Sequence, residues 1–142
     1  MMTQLEALKE IAKRDGGLLR PRAVVDAARD VESPLHRCFE WDDKVAGEKY
    51  RLEQAQRLIR SFTVVHERDG KKCESPMFIG LSVDRTGSSG DNPYRLASDV
   101  TKVPDLLAIA ERDALCQLCG LKDRYSHLKR LNDIWSAIEA HV

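Results

Sequence analysis

The segment around which the rest of the chain is organised runs from Phe39 to Phe62 and reads FEWDDKVAGEKYRLEQAQRLIRSF. Asp42 is a good N-cap, because its carboxylate can accept the free backbone N–H groups of a first helical turn. Trp41 and Ala46 stand where a hydrophobic staple would pack. Apolar residues then recur at intervals of 7, 3, 4 and 3, on one face of a helix: Val45, Leu52, Ala55, Ile59 and Phe62. The pattern predicts a helix over residues 42–60 whose inner face enters a core.

The bulk composition limits the classes of protein to consider. The chain has 142 residues, which is one domain or one domain with a projecting helix. Lys+Arg and Asp+Glu are equal at 23 each, so no overall basic or acidic field points to a partner. No apolar run approaches the roughly 20 residues of a membrane span, and residues 1–17 lack the apolar core of a signal peptide. We therefore expect a cytoplasmic protein with no membrane partner and with reduced cysteines.

Two helices are predicted before the central one. Thr3 and Glu6 have the spacing of a capping box and predict a helix over residues 3–15, which Gly16-Gly17 would end. Pro21 suits the first turn of a second helix over residues 21–29. Residues 30–41 form a connector, and its large apolar side chains are expected to cover the core: Leu35, Phe39 and Trp41.

After Arg60 the apolar period changes from 3.6 to 2, which indicates strands. We predict strands over residues 62–67, 77–84 and 94–96, with a hairpin-type loop at 68–76 around Asp69-Gly70. The three strands would form a small antiparallel meander covered by helices, since a lone hairpin is not stable. Residues 1–97 would then be an α+β core.

The last forty residues show helical spacing throughout. Apolar residues follow every three or four positions, and those of the second half are the predicted self-association interface: Leu118, Leu121, Tyr125, Leu128, Leu131, Trp135 and Ile138. One helix of ~38 residues would be about 57 Å long, which exceeds the width of a small domain. Residues 103–142 are therefore predicted to form a long C-terminal helix or a helical hairpin, with Gly120 as the candidate break.

Residues with reactive side chains do not form a recognisable site. Cys116 and Cys119 form a CxxC motif, but zinc needs two further ligands; structural thiols are the first interpretation, and a metal site or a redox pair are the alternatives. Asp42-Asp43 fits an N-cap better than a metal site. The histidines show no triad spacing: His36, His66, His127 and His141. We expect no catalytic residue, no metal and no cofactor.

Basic residues cluster on the central helix and on the hairpin. The candidate DNA-binding residues are Lys44, Lys49, Arg51, Arg57, Arg60, Lys71 and Lys72. Three helices followed by a hairpin with a basic tip is the order of a winged helix, whose third helix enters the major groove. Two features count against this reading: the connector has about a dozen residues where a helix-turn-helix turn has three or four, and acidic residues are interleaved with the basic ones. DNA is the first candidate partner.

Most of the chain resembles a known group of proteins. The likeness rests on Pro34-Leu35-His36, the FEWDD block of residues 39–43, Ala46, and the pattern Tyr50-Arg51, Gln54-Ala55, Leu58-Ile59-Arg60. It extends to residues 24–29 and, more loosely, to 81–83 and 125–129. These segments resemble a group of small proteins of tailed phages and prophages. The resemblance implies a viral or prophage origin and a host-cell cytoplasmic setting, and it supplies no catalytic residue.

Together these observations predict an α+β protein with a non-enzymatic role. We expect a phage-type accessory or regulatory protein that forms a homo-oligomer through its C-terminal helix and binds a macromolecular partner, with DNA first. The alternatives are a virion or scaffold assembly protein and an inhibitor of a host protein. A metal-dependent enzyme ranks behind all of these.

Overall fold

A computed structural model describes residues 1–45, 47–87 and 90–142. The chain divides into two compact units, residues 1–100 and 101–142, which are described separately. The predicted α+β class is confirmed, because helices are combined with two small antiparallel sheets and one helix is 22 residues long.

The first two helices lie where the sequence predicts them. Helix α1 spans Gln4–Arg14, and its capping box is complete, because the Glu6 N–H donates to Thr3 Oγ1 at 3.2 Å and the Thr3 N–H donates to Glu6 Oε2 at 2.7 Å. Helix α2 spans Pro21–Ala28, with proline in its first turn. Both helices turn apolar residues inward, with Leu8 and Ile11 buried on α1 and Val24 and Val25 buried on α2.

The core of residues 1–100 is built from the first three helices and the segments beside them. Its buried apolar residues include Leu8, Ile11, Leu19, Val24, Val25, Leu35, Phe39, Leu52, Ala55, Ile59 and Phe78. Leu35 and Phe39 come from the connector, so the prediction that this segment covers the core is confirmed. The core therefore depends on a segment that has little regular structure of its own.

Helix α3 begins later than predicted. It spans Glu48–Ser61, and its N-cap is Gly47, which has no side chain to make a capping hydrogen bond. The N-cap role predicted for Asp42 is wrong, because Asp42 Oδ1 accepts the N–H of Lys44 at 2.9 Å in a local turn. Val45 was predicted to face inward but is 69% exposed, whereas Leu52, Ala55 and Ile59 are buried as predicted. Phe62, which follows the helix, is half-buried. Ala46, the predicted staple partner, lies outside the described residues.

Arg51 is the charged residue around which the connector is organised. Its side chain is buried, its Nε donates to the carbonyl of Glu40 at 2.9 Å, and its guanidinium binds the carboxylate of Asp43. A second carboxylate, that of Glu48, lies 3.5 Å from Nη1. Arg51 thereby ties α3 to the FEWDD block, and Asp43 serves as its partner instead of capping a helix.

Trp41 completes this arrangement. Its ring lies under the Arg51 guanidinium at 5.3 Å and stacks on His36, with the centroids 5.1 Å apart and the planes within 9°. The indole N–H donates to the His36 carbonyl at 2.9 Å. The Arg29 guanidinium also lies near the ring, 5.7 Å from its centroid. We call these residues the Trp41 latch: Arg29, His36, Trp41, Glu48 and Arg51.

The latch also joins the end of α2 to the start of α3. Arg29 Nη2 donates to both carboxylate oxygens of Glu48 at 2.7 and 2.8 Å. This bond raises the pKa of Arg29 and, together with the nearby Arg51 charge, lowers the pKa of Glu48. His36 Nδ1 donates to the Ala28 carbonyl at 2.8 Å. Both ends of the connector are therefore held at one place.

The strands differ from the predicted meander. Strand β1 (Thr63–Arg68) pairs with β2 (Lys71–Pro76) through a two-residue turn at Asp69-Gly70, with φ of 53° and 75°. Residues 71–76, predicted as loop, are thus a strand. An Asp-Gly turn with positive φ at both positions returns the chain at once, so the polar residues after it pair with β1 although their pattern does not alternate.

A second, separate sheet holds the other strand residues. Strand β3 (Phe78–Ile79) pairs with β4 (Arg95–Leu96), so the predicted strand 77–84 is too long and the meander is wrong. Residues 82–84 form a 3₁₀ turn instead, from which Asp84 binds Arg95 at 2.6 and 2.9 Å. This pairing raises the pKa of Arg95. The 3₁₀ turn therefore replaces the end of the predicted strand and brings Asp84 to Arg95.

Helices dominate the C-terminal part. Helix α4 spans Ala97–Lys102, α5 spans Pro104–Tyr125 and α6 spans Asn132–Glu139, with a 3₁₀ turn at Lys129–Leu131. Of the two predicted arrangements, residues 103–142 adopt the helical hairpin. The break follows Tyr125 and not Gly120, which lies inside α5; a helix tolerates glycine at a cost of about 1 kcal/mol.

We predict that Arg51→Met lowers the free energy of unfolding by about 2 kcal/mol, because the apolar stem is kept while the Glu40 carbonyl and two carboxylates lose their donor. Urea unfolding followed by circular dichroism measures this. Arg57→Met is the matched control on the same helix, where the side chain is exposed, and it should change stability by less than about 0.5 kcal/mol. Equal stabilities for both variants would contradict the role given to the latch.

Candidate interaction surfaces

The outer face of α3 carries three of the seven predicted DNA-binding residues. Lys49, Arg57 and Arg60 are exposed there, and Lys44 is exposed in the turn that precedes the helix. Lys49, Glu53 and Arg57 follow at four-residue spacing, so one carboxylate lies between two cations. Arg60 donates to its own helix, to the carbonyl and side-chain oxygen of Gln56 at 3.3 and 3.2 Å. This surface is positive but mixed.

Arg51 does not share this surface. It is 4% exposed and its guanidinium is used by the Trp41 latch. A helical residue at the border of the inner face is hard to assign from sequence, because its long side chain can reach water or fold inward. The structure places Arg51 inward, so it is not available to a partner.

The pairing of β1 with β2 sorts the charges of the hairpin onto two faces. Directly paired residues share a face in an antiparallel sheet. Lys71 pairs with Arg68 and shares its face with His66, whereas Lys72 pairs with Glu67 and shares its face with Glu74. The first face, which we call the basic face of the hairpin, comprises Val64, His66, Arg68, Lys71, Cys73 and Ser75. Lys71 and Lys72 thus point to opposite sides.

Arg68 is the hairpin cation that the list of candidate residues lacks. In the sequence it falls in a predicted loop, where side-chain direction is undefined. The register of β1 and β2 puts it beside Lys71, and the six described residues of the basic face include no carboxylate. The Asp69-Gly70 turn was the sequence signal from which this pairing follows.

Helix α5 has an apolar face that is not buried. None of its residues, all of which the structure describes, is buried. Leu118, Leu121 and Tyr125 are 40%, 44% and 39% exposed, and Leu128, after the helix, is 43% exposed. The remaining predicted interface residues lie deeper, with Leu131 and Trp135 half-buried and Ile138 buried.

Contacts between α5 and α6 hold the hairpin of residues 101–142 together. Lys122 on α5 forms an ion pair with Glu139 on α6, and this bond raises the pKa of Lys122. The indole N–H of Trp135 is buried and has no acceptor among the described residues. Burying an N–H group without an acceptor costs about 1–3 kcal/mol, so the burial of this group lowers the stability of the hairpin.

The cysteines and histidines remain dispersed. Cys116 is exposed and Cys119 half-buried on α5, while Cys38 is half-buried and accepts a hydrogen bond from Gln4 Nε2 at 3.2 Å. Burial raises the pKa of the Cys38 thiol. Within residues 1–45, 47–87 and 90–142, no three His, Cys, Asp or Glu side chains are grouped as metal ligands.

A groove of about 700 Å³ lies where the N-terminal residues meet the connector. Apolar side chains dominate its lining, with contributions from Met1, Met2, Leu5, Val31, Pro34 and Phe62. Glu32 and Arg37 lie at the same groove. Sequence patterns did not indicate it, because its walls come from segments that are distant in the chain: the N-terminal residues with the start of α1, the connector, and the end of α3.

In the described part of the chain, no helix combines the length and the apolar character that crossing a membrane requires. Known proteins give no match, whether they are compared as family profiles, as curated sequences or as solved structures.

Proposed function

We propose that this chain is a non-enzymatic accessory protein of phage type that self-associates through α5 and α6 and binds DNA through α3 and the β1–β2 hairpin. The observation that carries the proposal is the apolar face of α5, a 22-residue helix without a buried residue. The two activities use different parts of the molecule, so each has its own support and its own test.

Self-association is supported by how few side chains of residues 101–142 are buried. Ile138 is the one buried residue of this described segment. Exposed leucines and a tyrosine instead follow each other on α5 at helical spacing, and Ile134 on α6 is 53% exposed. Contiguous apolar patches on a soluble surface mark interaction sites. A second copy of the same helical hairpin would cover this face in the manner of a helix bundle.

DNA binding is supported by the position of the hairpin relative to α3. Strand β1 begins at Thr63, directly after α3 ends at Ser61, so the basic residues of both elements belong to one continuous stretch of chain. Lys49, Arg57 and Arg60 are exposed on the helix, and Arg68 and Lys71 share the basic face of the hairpin. Exposed cations without a fixed carboxylate partner are what phosphate contacts require.

We predict that Leu121→Glu weakens self-association by at least about tenfold in Kd, because a carboxylate would have to be buried in an apolar interface. Sedimentation velocity over a range of concentrations measures this. Gln117→Glu adds the same charge at an exposed polar position of α5 and should leave the association unchanged. A wild-type protein that stays monomeric at high micromolar concentration would overturn this part of the proposal.

For DNA, we predict that Lys49→Glu combined with Arg57→Glu and Lys71→Glu abolishes binding to a mixed-sequence duplex. Fluorescence anisotropy at low salt measures this, and the wild-type affinity should fall steeply with salt, with a slope of about −0.9 for each phosphate contact. The control reverses the same number of charges elsewhere, at Lys9, Lys13 and Lys129, which are exposed. It should bind as the wild type does.

The alternatives give different outcomes in the same experiments. A virion or scaffold protein would form discrete higher oligomers that ignore DNA. An inhibitor of a host protein would be a monomer or dimer that ignores DNA and retains one bacterial protein. Absence of any shift with duplex at low salt would remove DNA from the proposal while leaving self-association intact.

A further inference from the structure

The β1–β2 hairpin is a sheet of two strands. In the described part of the chain, neither strand pairs with anything except the other. All six residues of β1 are exposed, and in β2 only Cys73 and Ser75 are half-buried. An isolated two-stranded hairpin is marginally stable in water, whereas three or more strands are stable. A strand supplied by a partner would therefore stabilise this sheet.

The hydrogen-bond phase of the hairpin identifies which groups face outward. A two-residue turn makes Arg68 and Lys71 a hydrogen-bonded pair, and bonded pairs alternate along the ladder. The Met77 N–H donates to the Phe62 carbonyl at 3.0 Å, which fits this phase at the far end. On β2, the backbone groups of Lys72 and Glu74 therefore point away from β1, and those of Cys73 point toward it.

The sequence of β2 is complementary to itself in charge. If two copies of β2 lie antiparallel with Cys73 at the centre, Lys72 of one copy lies opposite Glu74 of the other, and the same pair forms again by symmetry. These are the residues whose backbone groups face outward, so each pair can form both backbone hydrogen bonds and an ion pair. Opposite charges directly across two strands are stabilising.

We propose that β2 pairs antiparallel with β2 of a second copy of this chain, which gives a four-stranded sheet in the order β1-β2-β2-β1. The edge of β1 is less suited to this pairing. Centred on Val65, it would set Thr63 opposite Glu67 and Val64 opposite His66, without a pair of opposite charges. The proposal thus adds an interface to the self-association of α5 and α6 and does not depend on it.

The arrangement has a consequence for the basic face of the hairpin. Directly opposite residues of antiparallel strands share a face, so the two-fold axis is perpendicular to the sheet. Arg68 and Lys71 of both copies would then lie on one side. A paired sheet presents twice the positive charge of one hairpin, with Cys73 of each copy at the axis.

Cys73 provides a readout that is specific for this interface. As a non-hydrogen-bonded pair, the two Cys73 residues would have Cα atoms about 4.5 Å apart, within the range of a disulfide. The experiment uses the full chain with Cys38, Cys116 and Cys119 changed to Ser. Copper-phenanthroline in air oxidises the two thiols, with oxygen as the electron acceptor, and non-reducing electrophoresis follows the covalent dimer with time.

Charge reversal tests the register. Lys72→Glu alone and Glu74→Lys alone each turn both ion pairs into repulsive pairs, so each variant should cross-link about tenfold more slowly. An equimolar mixture of the two variants restores opposite charges between copies, and the covalent dimer should form at close to the original rate. Lys71→Glu is the control on the same strand, since it lies opposite Ser75, and its rate should stay within about twofold.

The outcomes separate this interface from the one on α5. Leu121→Glu introduced into the same chain should leave the Cys73 cross-link in place. No cross-link at high concentration overturns the proposal, and so does a mixture that cross-links as slowly as the single variants. Circular dichroism and the melting temperature confirm that each variant is folded.

Discussion

The buried guanidinium of Arg51 is the interaction on which the first unit depends. The connector between α2 and α3 supplies Leu35 and Phe39 to the core, yet it has almost no backbone ladder to hold it. Arg51 replaces that ladder, because one side chain binds a carbonyl and a carboxylate of the FEWDD block and packs on its tryptophan. A buried cation is tolerated only when its donors are satisfied, and here the connector itself provides the acceptors.

The dependence of the connector on Arg51 explains which parts of the fold could be predicted from the sequence. Helices α1 and α2 have local signals, a capping box and a proline in the first turn, and each of their ends lies within one residue of its predicted bound. The start of α3 was missed because Asp42 and Asp43 look like caps. One is used in a turn and the other by Arg51, eight residues further along the chain. Long-range partners of this kind leave no periodic trace.

The strand prediction was wrong for a different reason. Strand β2 is polar, with no apolar alternation in its sequence to recognise, and its pairing follows from the Asp69-Gly70 turn alone. The candidate surfaces could likewise be predicted only in part. The apolar stripe of residues 118–138 was visible in the sequence, whereas the separation of Lys71 from Lys72 and the inward position of Arg51 required the register and the packing.

The two units differ in how far they satisfy their own side chains. Residues 1–100 enclose a core and hold their buried cation in a network, while α5 keeps its apolar face accessible. We propose that a second copy of the chain covers this face. Hydrogen–deuterium exchange of the full chain at increasing concentration tests it most directly. We predict that amides of α5 become more protected as the concentration rises while those of α3 stay constant; α5 amides whose exchange is independent of concentration, in a monomeric protein, would contradict the account.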